Sequence, residues 1–172
     1  YLTRGQAVLF GNTVNFSSGS VSYRPVLSAT FFMDRWLWSR QPFGYHLHNL
    51  LLHVLNVLLV FILILKLSRN HQAALFGAAL FALHPTRAEA VAVVGYRADL
   101  LTGFLMLGAF LSVVSALDLD GKVRMRAGLW PFSLGLYALA LFAKESALAF
   151  PALLAGYLFL FDRRRHKVPA YY

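Results

Sequence analysis

The chain has 172 residues, of which 59% are hydrophobic and 13% are charged. Ordinary globular domains are about half apolar and a quarter charged, so this composition excludes most soluble folds and predicts that lipid surrounds much of the chain. The net charge of +9 comes from 16 Lys and Arg against 7 Asp and Glu. In so apolar a chain, this excess indicates basic loops beside membrane spans rather than a nucleic-acid-binding surface. The chain has no cysteine, which excludes disulfides and thiolate metal sites.

Residues 1–42 are predicted to form an extracytoplasmic loop. They contain no apolar run long enough to span a bilayer, and the charge at Arg4 interrupts the start of the chain, unlike a signal peptide. Within this loop, residues 26–38 place Val26, Leu27, Phe31, Phe32, Trp36 and Leu37 roughly on one helical face. That pattern predicts an amphipathic helix at the membrane interface, where Trp is favoured.

Residues 43–172 are predicted to form a transmembrane helical bundle. A helix needs about 20 apolar residues to cross a hydrocarbon core of about 30 Å. Four longer apolar runs and one shorter run follow residue 43: Tyr45–Leu65, Ala98–Leu117, Ala127–Ala143 and Ala147–Phe161, with the shorter run at Ala73–Leu83. The shorter run is either a short span or a re-entrant segment.

The basic residues favour five crossings, one of them short. With five spans, nine of the 16 Lys and Arg lie on one side of the membrane: Lys66, Arg69, Lys122, Arg124, Arg126, Arg163, Arg164, Arg165 and Lys167. This asymmetry places the C-terminus in the cytoplasm and residues 1–42 outside it. A chain that starts outside implies a preceding helix, so we expect this sequence to be a fragment. The predicted fold class is an all-α, polytopic helical membrane protein with an N-terminal interfacial helix.

Three of the seven acidic residues fall at the extracytoplasmic ends of these spans. They are Glu89, Asp99 and Glu145, and the ionisable residues that accompany them are His46, His48, His84, Arg87, Arg97 and Lys144. Ionisable groups at membrane depth are costly and usually face a cavity or a partner, so this cluster is a candidate site. Simpler interpretations stay open: a capping box from Thr86 to Glu89, a dipole-favoured Asp99 at a helix start, and a polar turn at residues 144–146.

The histidines do not predict a metal centre. His46 and His53 lie about 10 Å apart along a helix, too far to share one ion, and His46 and His48 face different directions. His53 and Asn56 are instead predicted to form hydrogen bonds between helices. A divalent metal held by separate segments stays possible. The sequence contains no Walker loop, dinucleotide fingerprint or serine nucleophile elbow.

Several strings of residues occur together in an order that resembles a known family. They are Tyr23-Arg24-Pro25, the stretch from Pro42 to His53, His84 to Val91, Gly95 to Leu101, and Ala143-Lys144-Glu145-Ser146. In this order and spacing they resemble the membrane domain of the transmembrane-and-TPR-repeat O-mannosyltransferases and their bacterial relatives. That family belongs to the GT-C superfamily of glycosyltransferases that use polyprenyl-phosphate sugars.

The resemblance implies an integral-membrane glycosyltransferase of the bacterial inner membrane or the endoplasmic reticulum, active on the extracytoplasmic face. Its partners would be the lipid bilayer, a polyprenyl-phosphate sugar donor and a protein acceptor. Matching positions put the following residues near the donor: His84, Glu89, Arg97, Asp99, Lys144 and Glu145. The positively charged phosphate partners would be Arg24, Arg97 and Lys144.

The resemblance also implies parts that this sequence lacks. The family's acidic pair, which would supply the catalytic base, normally precedes the region where this chain begins, and Asp34 is not a convincing substitute. The C-terminal TPR repeats are absent as well, so we expect the fragment alone to be inactive. Two other functions stay open, a non-catalytic membrane assembly subunit and a transporter of a lipid-linked substrate.

Overall fold

The computed structural model of the chain describes residues 6–9, 12–15, 21–117 and 128–165, with side chains for residues 23–117 and 128–160. Most of the residues assigned to cytoplasmic loops lie outside these ranges, including Asp118, Asp120, Lys122, Arg124, Arg126 and Lys167. The side chains of Asp162 and of residues 163–165 are not described either.

A small antiparallel sheet precedes the helices. Its strands are β1 (Gln6–Leu9), β2 (Asn12–Asn15) and β3 (Val21–Tyr23), paired in the order β1-β2-β3. The sequence analysis did not predict this sheet, which occupies part of the predicted extracytoplasmic loop. After Tyr23 the described chain is helical, as the predicted class requires.

Within the part of the chain that the structure describes, seven helices follow the sheet: α1 (Pro25–Trp38), α2 (Pro42–Ser68), α3 (His71–Leu83), α4 (Pro85–Ala92), α5 (Arg97–Ala116), α6 (Leu129–Ala143) and α7 (Phe150–Arg165). Two short 3₁₀ turns, Val94–Tyr96 and Glu145–Ala149, lead into α5 and α7. Each of the five predicted apolar runs falls within or overlaps one of α2, α3, α5, α6 and α7.

Only two of these segments are long and apolar enough to count as candidate membrane spans. They are Pro42–Ser68 and Val94–Ala116, while His71–Leu83, Leu129–Ala143 and Glu145–Leu160 are shorter apolar helices. The five crossings therefore stay a prediction. Helix α1 lies where the interfacial helix was expected, and its position at a membrane interface is likewise still a prediction.

Proline and polar side chains set the starts of the helices. Pro25, Pro42 and Pro85 occupy the first turns of α1, α2 and α4, where proline's missing N–H costs no hydrogen bond. The side chain of Asn70 caps α3 by accepting hydrogen bonds from the backbone N–H groups of Gln72 and Ala73, at 2.9 and 3.2 Å.

Hydrogen bonds between helices show which helices are neighbours and whether they run parallel or antiparallel. His53 of α2 meets the carbonyl of Ala82 at 3.3 Å, and Asn56 donates to the carbonyl of Leu100 in α5 at 2.9 Å. These contacts confirm the predicted hydrogen bonds between helices. Helix α3 runs antiparallel to α2, and α5 runs parallel to α2. Ser133 of α6 donates to the carbonyl of Ala109 at 2.9 Å, and α6 is antiparallel to α5.

Helix α5 is central and the other helices leave apolar surface uncovered. Half of the α5 span is buried, against 17% of the α2 span. Small residues line the contacts around α5 and α6, including the fully buried Ala109, Ala140 and Ala143, which lets helices approach closely in lipid. Large apolar side chains such as Phe76 and Leu134 are exposed. Such extensive apolar exposure is what a lipid-facing surface requires.

Helix α1 lies across one end of the bundle like a strap. Arg24 contacts Glu145 just beyond the end of α6, Phe31 contacts Arg97 at the start of α5, and the ring of Trp38 packs edge-on against Phe43 at the start of α2. All three partners belong to the same end of the bundle, which we call the α1 end. It is the end to which the sequence assigned the extracytoplasmic face.

The α1 strap also depends on one close backbone approach. The ring of Trp38 lies so close to Gly44 that a Cβ atom there would overlap the ring atoms Cγ and Cδ2. Any larger residue at this position would therefore force the Trp38 ring to shift.

Candidate functional site

A buried ion pair joins the α1 strap to the start of α5. Nη1 of Arg97 contacts Oδ2 of Asp34, and the two side chains are 0% and 1% exposed. Arg97 Nε also donates to Oδ1 of Asn49 at 2.8 Å, and Nη2 donates to the backbone carbonyl of Tyr45 at 2.9 Å. Three elements, α1, α2 and α5, therefore meet at one guanidinium.

The guanidinium also has apolar and aromatic neighbours. The Cζ atom of Arg97 lies 4.5 Å from the centre of the Phe31 ring, a distance typical of a cation–π contact. His48 Nδ1 lies 2.7 Å from Oδ1 of Asp34, so that one carboxylate faces both Arg97 and His48. Arg97 and Asp34 lose their contact with water on burial, and this set of partners compensates for the lost hydration.

Asp34 is the principal residue that the sequence analysis misjudged. It was assigned to the interfacial helix apart from the acidic cluster, whereas the structure buries it against Arg97. The sequence spacing already indicated that Asp34 faces inward. Leu27, Phe31, Asp34 and Trp38 are separated by four, three and four residues, so they share one helical face. The exposed residues Phe32, Trp36 and Leu37 lie away from this face, so the prediction that they share one apolar face with Leu27 and Phe31 is wrong. A lone acid on the inward face thus indicated a buried partner.

Two further ion pairs lie at the α1 end, and both are open to solvent. Arg24 Nη2 donates to both carboxylate oxygens of Glu145, at 2.7 and 2.9 Å. Lys144 Nζ lies 2.5 Å from Oδ1 of Asp99. Since Lys144 and Glu145 are consecutive, their Cα atoms are about 3.8 Å apart. The structure therefore brings together five of the seven predicted site residues.

The remaining two predicted residues, His84 and Glu89, lie on α4. His84 is the N-cap of that helix, and its Nδ1 lies 2.8 Å from Oγ1 of Thr86. The capping box proposed for Thr86 and Glu89 is therefore wrong, because Thr86 lies inside the helix. Both His84 and Glu89 are exposed, and within the described residues no hydrogen bond or ion pair connects them to the other five.

The α1 end offers anion-binding groups more readily than metal ligands. No group of three or more His, Asp and Glu side chains suited to a metal ion occurs within the ranges the structure describes. Arg24 and Lys144 keep part of their surfaces accessible, at 23% and 25%. An apolar helical bundle with paired charges gathered at one end has the architecture of a helical membrane protein.

Comparisons with known proteins identify the family. The chain is 32% identical to human protein O-mannosyl-transferase TMTC3 over 114 residues, which cover 66% of this chain and 12% of that protein. It is 40% identical to human TMTC1 over 98 residues, covering 56% of this chain and 11% of that protein. Human TMTC4 is 31% identical over 155 residues, covering 81% of this chain and 21% of that protein.

The chain belongs to the TMTC protein O-mannosyl-transferase family, and it spans between about a tenth and a fifth of the length of these relatives. The predicted family resemblance is thereby confirmed. No family model matches the chain, and no solved structure matches it.

Proposed function

We propose that this chain is part of a GT-C glycosyltransferase that transfers a sugar from a polyprenyl-phosphate donor to a protein hydroxyl. The single observation that carries the proposal is the similarity to proteins named as protein O-mannosyl-transferases. The cations at the α1 end support it, since a lipid-linked donor presents a phosphate at the membrane surface. The α1 end would then be the extracytoplasmic, active face.

The proposed chemistry gives each exposed ion pair a role. When the bond between the sugar and the phosphate breaks, negative charge develops on the phosphate oxygens, and Arg24 and Lys144 would stabilise that charge. Asp99 and Glu145 would orient these two cations or bind sugar hydroxyls. His84 and Glu89 would act from α4, at the same end of the bundle. The base for the acceptor hydroxyl would come from a preceding acidic loop.

Arg97 is better placed to position the site than to bind the phosphate. Its guanidinium is fully buried and holds Asp34, Asn49 and Tyr45. In this proposal it fixes α1 against α5, which in turn sets the position of Arg24. Phosphate binding is assigned to the two accessible cations.

A transfer assay with the full-length protein tests the proposal. With a polyprenyl-phosphate mannose donor and an acceptor peptide containing Ser and Thr, we expect mannosylated peptide and free polyprenyl phosphate in equal amounts. The same reaction with a nucleotide-activated sugar as donor is the control and should yield no product. Product from the nucleotide sugar alone would contradict the assignment of the lipid-linked donor.

One observation favours a second candidate, a non-catalytic assembly subunit. All three predicted phosphate partners, Arg24, Arg97 and Lys144, already hold a carboxylate. A purely structural role would explain these ion pairs equally well. Absence of transfer to any peptide by a folded full-length protein, with an intact acidic loop, would support this candidate over the enzyme.

Thiol labelling tests the proposed side of the membrane. The chain has no native cysteine, so single substitutions Arg87→Cys and Lys122→Cys each introduce one reactive group. With an odd number of crossings between them, we expect a membrane-impermeant maleimide to label residue 87 from outside the cytoplasm and residue 122 only after permeabilisation. Labelling of both residues from the same side would contradict the five-span topology.

A further inference from the structure

The α1 strap is held at two places by ion pairs of opposite character. Near its C-terminal end, Asp34 and Arg97 are almost completely buried. At its N-terminal end, Arg24 and Glu145 keep 23% and 68% of their side-chain surfaces exposed. A buried pair is costly to separate, whereas an exposed pair exchanges its partners readily with water and ions.

The carboxylate of Glu145 occupies the position that an anionic ligand of Arg24 would take. Both of its oxygens accept from Nη2 of Arg24, at 2.7 and 2.9 Å. Phosphate oxygens accept hydrogen bonds from guanidinium groups in the same way. A hydrogen bond from its own backbone N–H lowers the pKa of Glu145 below its ordinary value, and Arg24 lowers it further. Glu145 is therefore ionised at neutral pH and competes with any such ligand.

We infer that Glu145 is an exchangeable occupant of an anion site on Arg24, and that the phosphate group of a prenyl-linked lipid displaces it while Asp34 and Arg97 keep α1 in place. The inference rests on the proposed function for the identity of the lipid. It adds that, before the lipid binds, the Glu145 carboxylate occupies the anion site on Arg24. The donor phosphate must therefore compete with Glu145 for that guanidinium.

Removing the competing charge should strengthen lipid binding. In Glu145→Gln the neutral amide holds Arg24 more weakly than the carboxylate does. Exposed ion pairs stabilise by about 0.2–1 kcal/mol, so the Kd for polyprenyl phosphate should fall by a factor of about 1.4 to 5. In Arg24→Gln the Kd should rise, and adding Glu145→Gln to that variant should give no gain.

The experiment measures binding of polyprenyl phosphate to the full-length protein in nanodiscs of neutral lipid. Asp120→Asn is the matched control, because it removes the same charge from a loop that the sequence assigns to the opposite side of the membrane from Arg24. The gain in Glu145→Gln must exceed the gain in this control. Inorganic phosphate, added as a competitor, distinguishes recognition of the phosphate group from recognition of the prenyl chain.

A second measurement shows whether α1 stays in place. Leu27 lies on the inward face of α1 and is only 6% exposed, so Leu27→Cys provides a thiol that a maleimide reaches only when α1 lifts. Labelling should stay slow in Glu145→Gln, with and without polyprenyl phosphate. Trp36→Cys, on the exposed face of α1, should be labelled rapidly throughout.

The outcomes separate this inference from the proposed function. Tighter binding by Glu145→Gln, lost when Arg24 is also replaced, supports it. If Arg24→Gln weakens binding but Glu145→Gln matches Asp120→Asn, the inference is wrong and the donor assignment stands. If the wild-type protein does not bind polyprenyl phosphate, both are wrong. Rapid labelling at residue 27 in Glu145→Gln would also overturn the inference, because α1 would then depend on the Arg24 contact.

Discussion

Replacing Arg97 by methionine is expected to destabilise the helical bundle by about 3–5 kcal/mol, because Asp34 would keep a buried charge without the guanidinium that neutralises it. Asp34 is 1% exposed, so water cannot replace the guanidinium unless α1 lifts. The check is thermal unfolding of the purified protein in detergent micelles, followed by circular dichroism. Arg24→Met makes the same chemical change at an exposed ion pair and should cost at most about 1 kcal/mol.

A double variant distinguishes a positioning role for Arg97 from a direct one. Arg97→Met with Asp34→Leu removes both charges together, and we expect it to recover most of the lost stability. If sugar transfer recovers as well, Arg97 acts by holding α1 in place. If stability returns without transfer, the guanidinium itself acts on the donor. Equal stabilities of Arg97→Met and Arg24→Met would contradict the interpretation that the buried Asp34–Arg97 ion pair holds α1 in place.

The helices could be predicted from sequence because their signals are local. Apolar runs, proline at helix starts and the basic residues beyond Leu65 all belong to short stretches of chain. The predicted hydrogen bonds of His53 and Asn56 also followed from a local fact, since a polar side chain within an apolar helix needs a partner on a neighbouring helix.

The site was harder to predict because its contacts join residues far apart in the chain. Arg24 and Glu145 are 121 positions apart, and Asp99 and Lys144 are 45 apart. The sequence around each of these four residues contains no pattern that specifies which distant residue it pairs with. The family resemblance gathered these residues in one region, but it did not pair them. The packing of α1 across the end of the bundle pairs Arg24 with Glu145 and Asp34 with Arg97. Asp99 and Lys144 are paired by the antiparallel packing of α5 and α6.

Removing both accessible cations is expected to reduce transfer far more than removing either one. A charge-assisted hydrogen bond contributes about 1.5–3 kcal/mol, or roughly ten- to a hundredfold in rate. Arg24→Gln or Lys144→Gln alone should therefore lower kcat/KM for the lipid-linked donor by about tenfold or more, and the double variant by at least about a hundredfold. Arg24→Lys should recover only part of the loss, because the ammonium cannot present the planar guanidinium fork to a phosphate.

Arg35→Gln is the matched control for these variants. Arg35 is an exposed residue of α1, the helix that begins directly after Arg24. Arg35→Gln therefore removes the same charge from the same end of the bundle. Its kcat/KM should stay within about twofold of wild type, since exposed charges remote from the phosphate are screened over a Debye length of about 8 Å at physiological salt. Equal losses in Arg35→Gln and Arg24→Gln would show that the enzyme senses only overall positive charge. A loss confined to Arg24 and Lys144 would locate the donor phosphate beside the two open ion pairs at the α1 end.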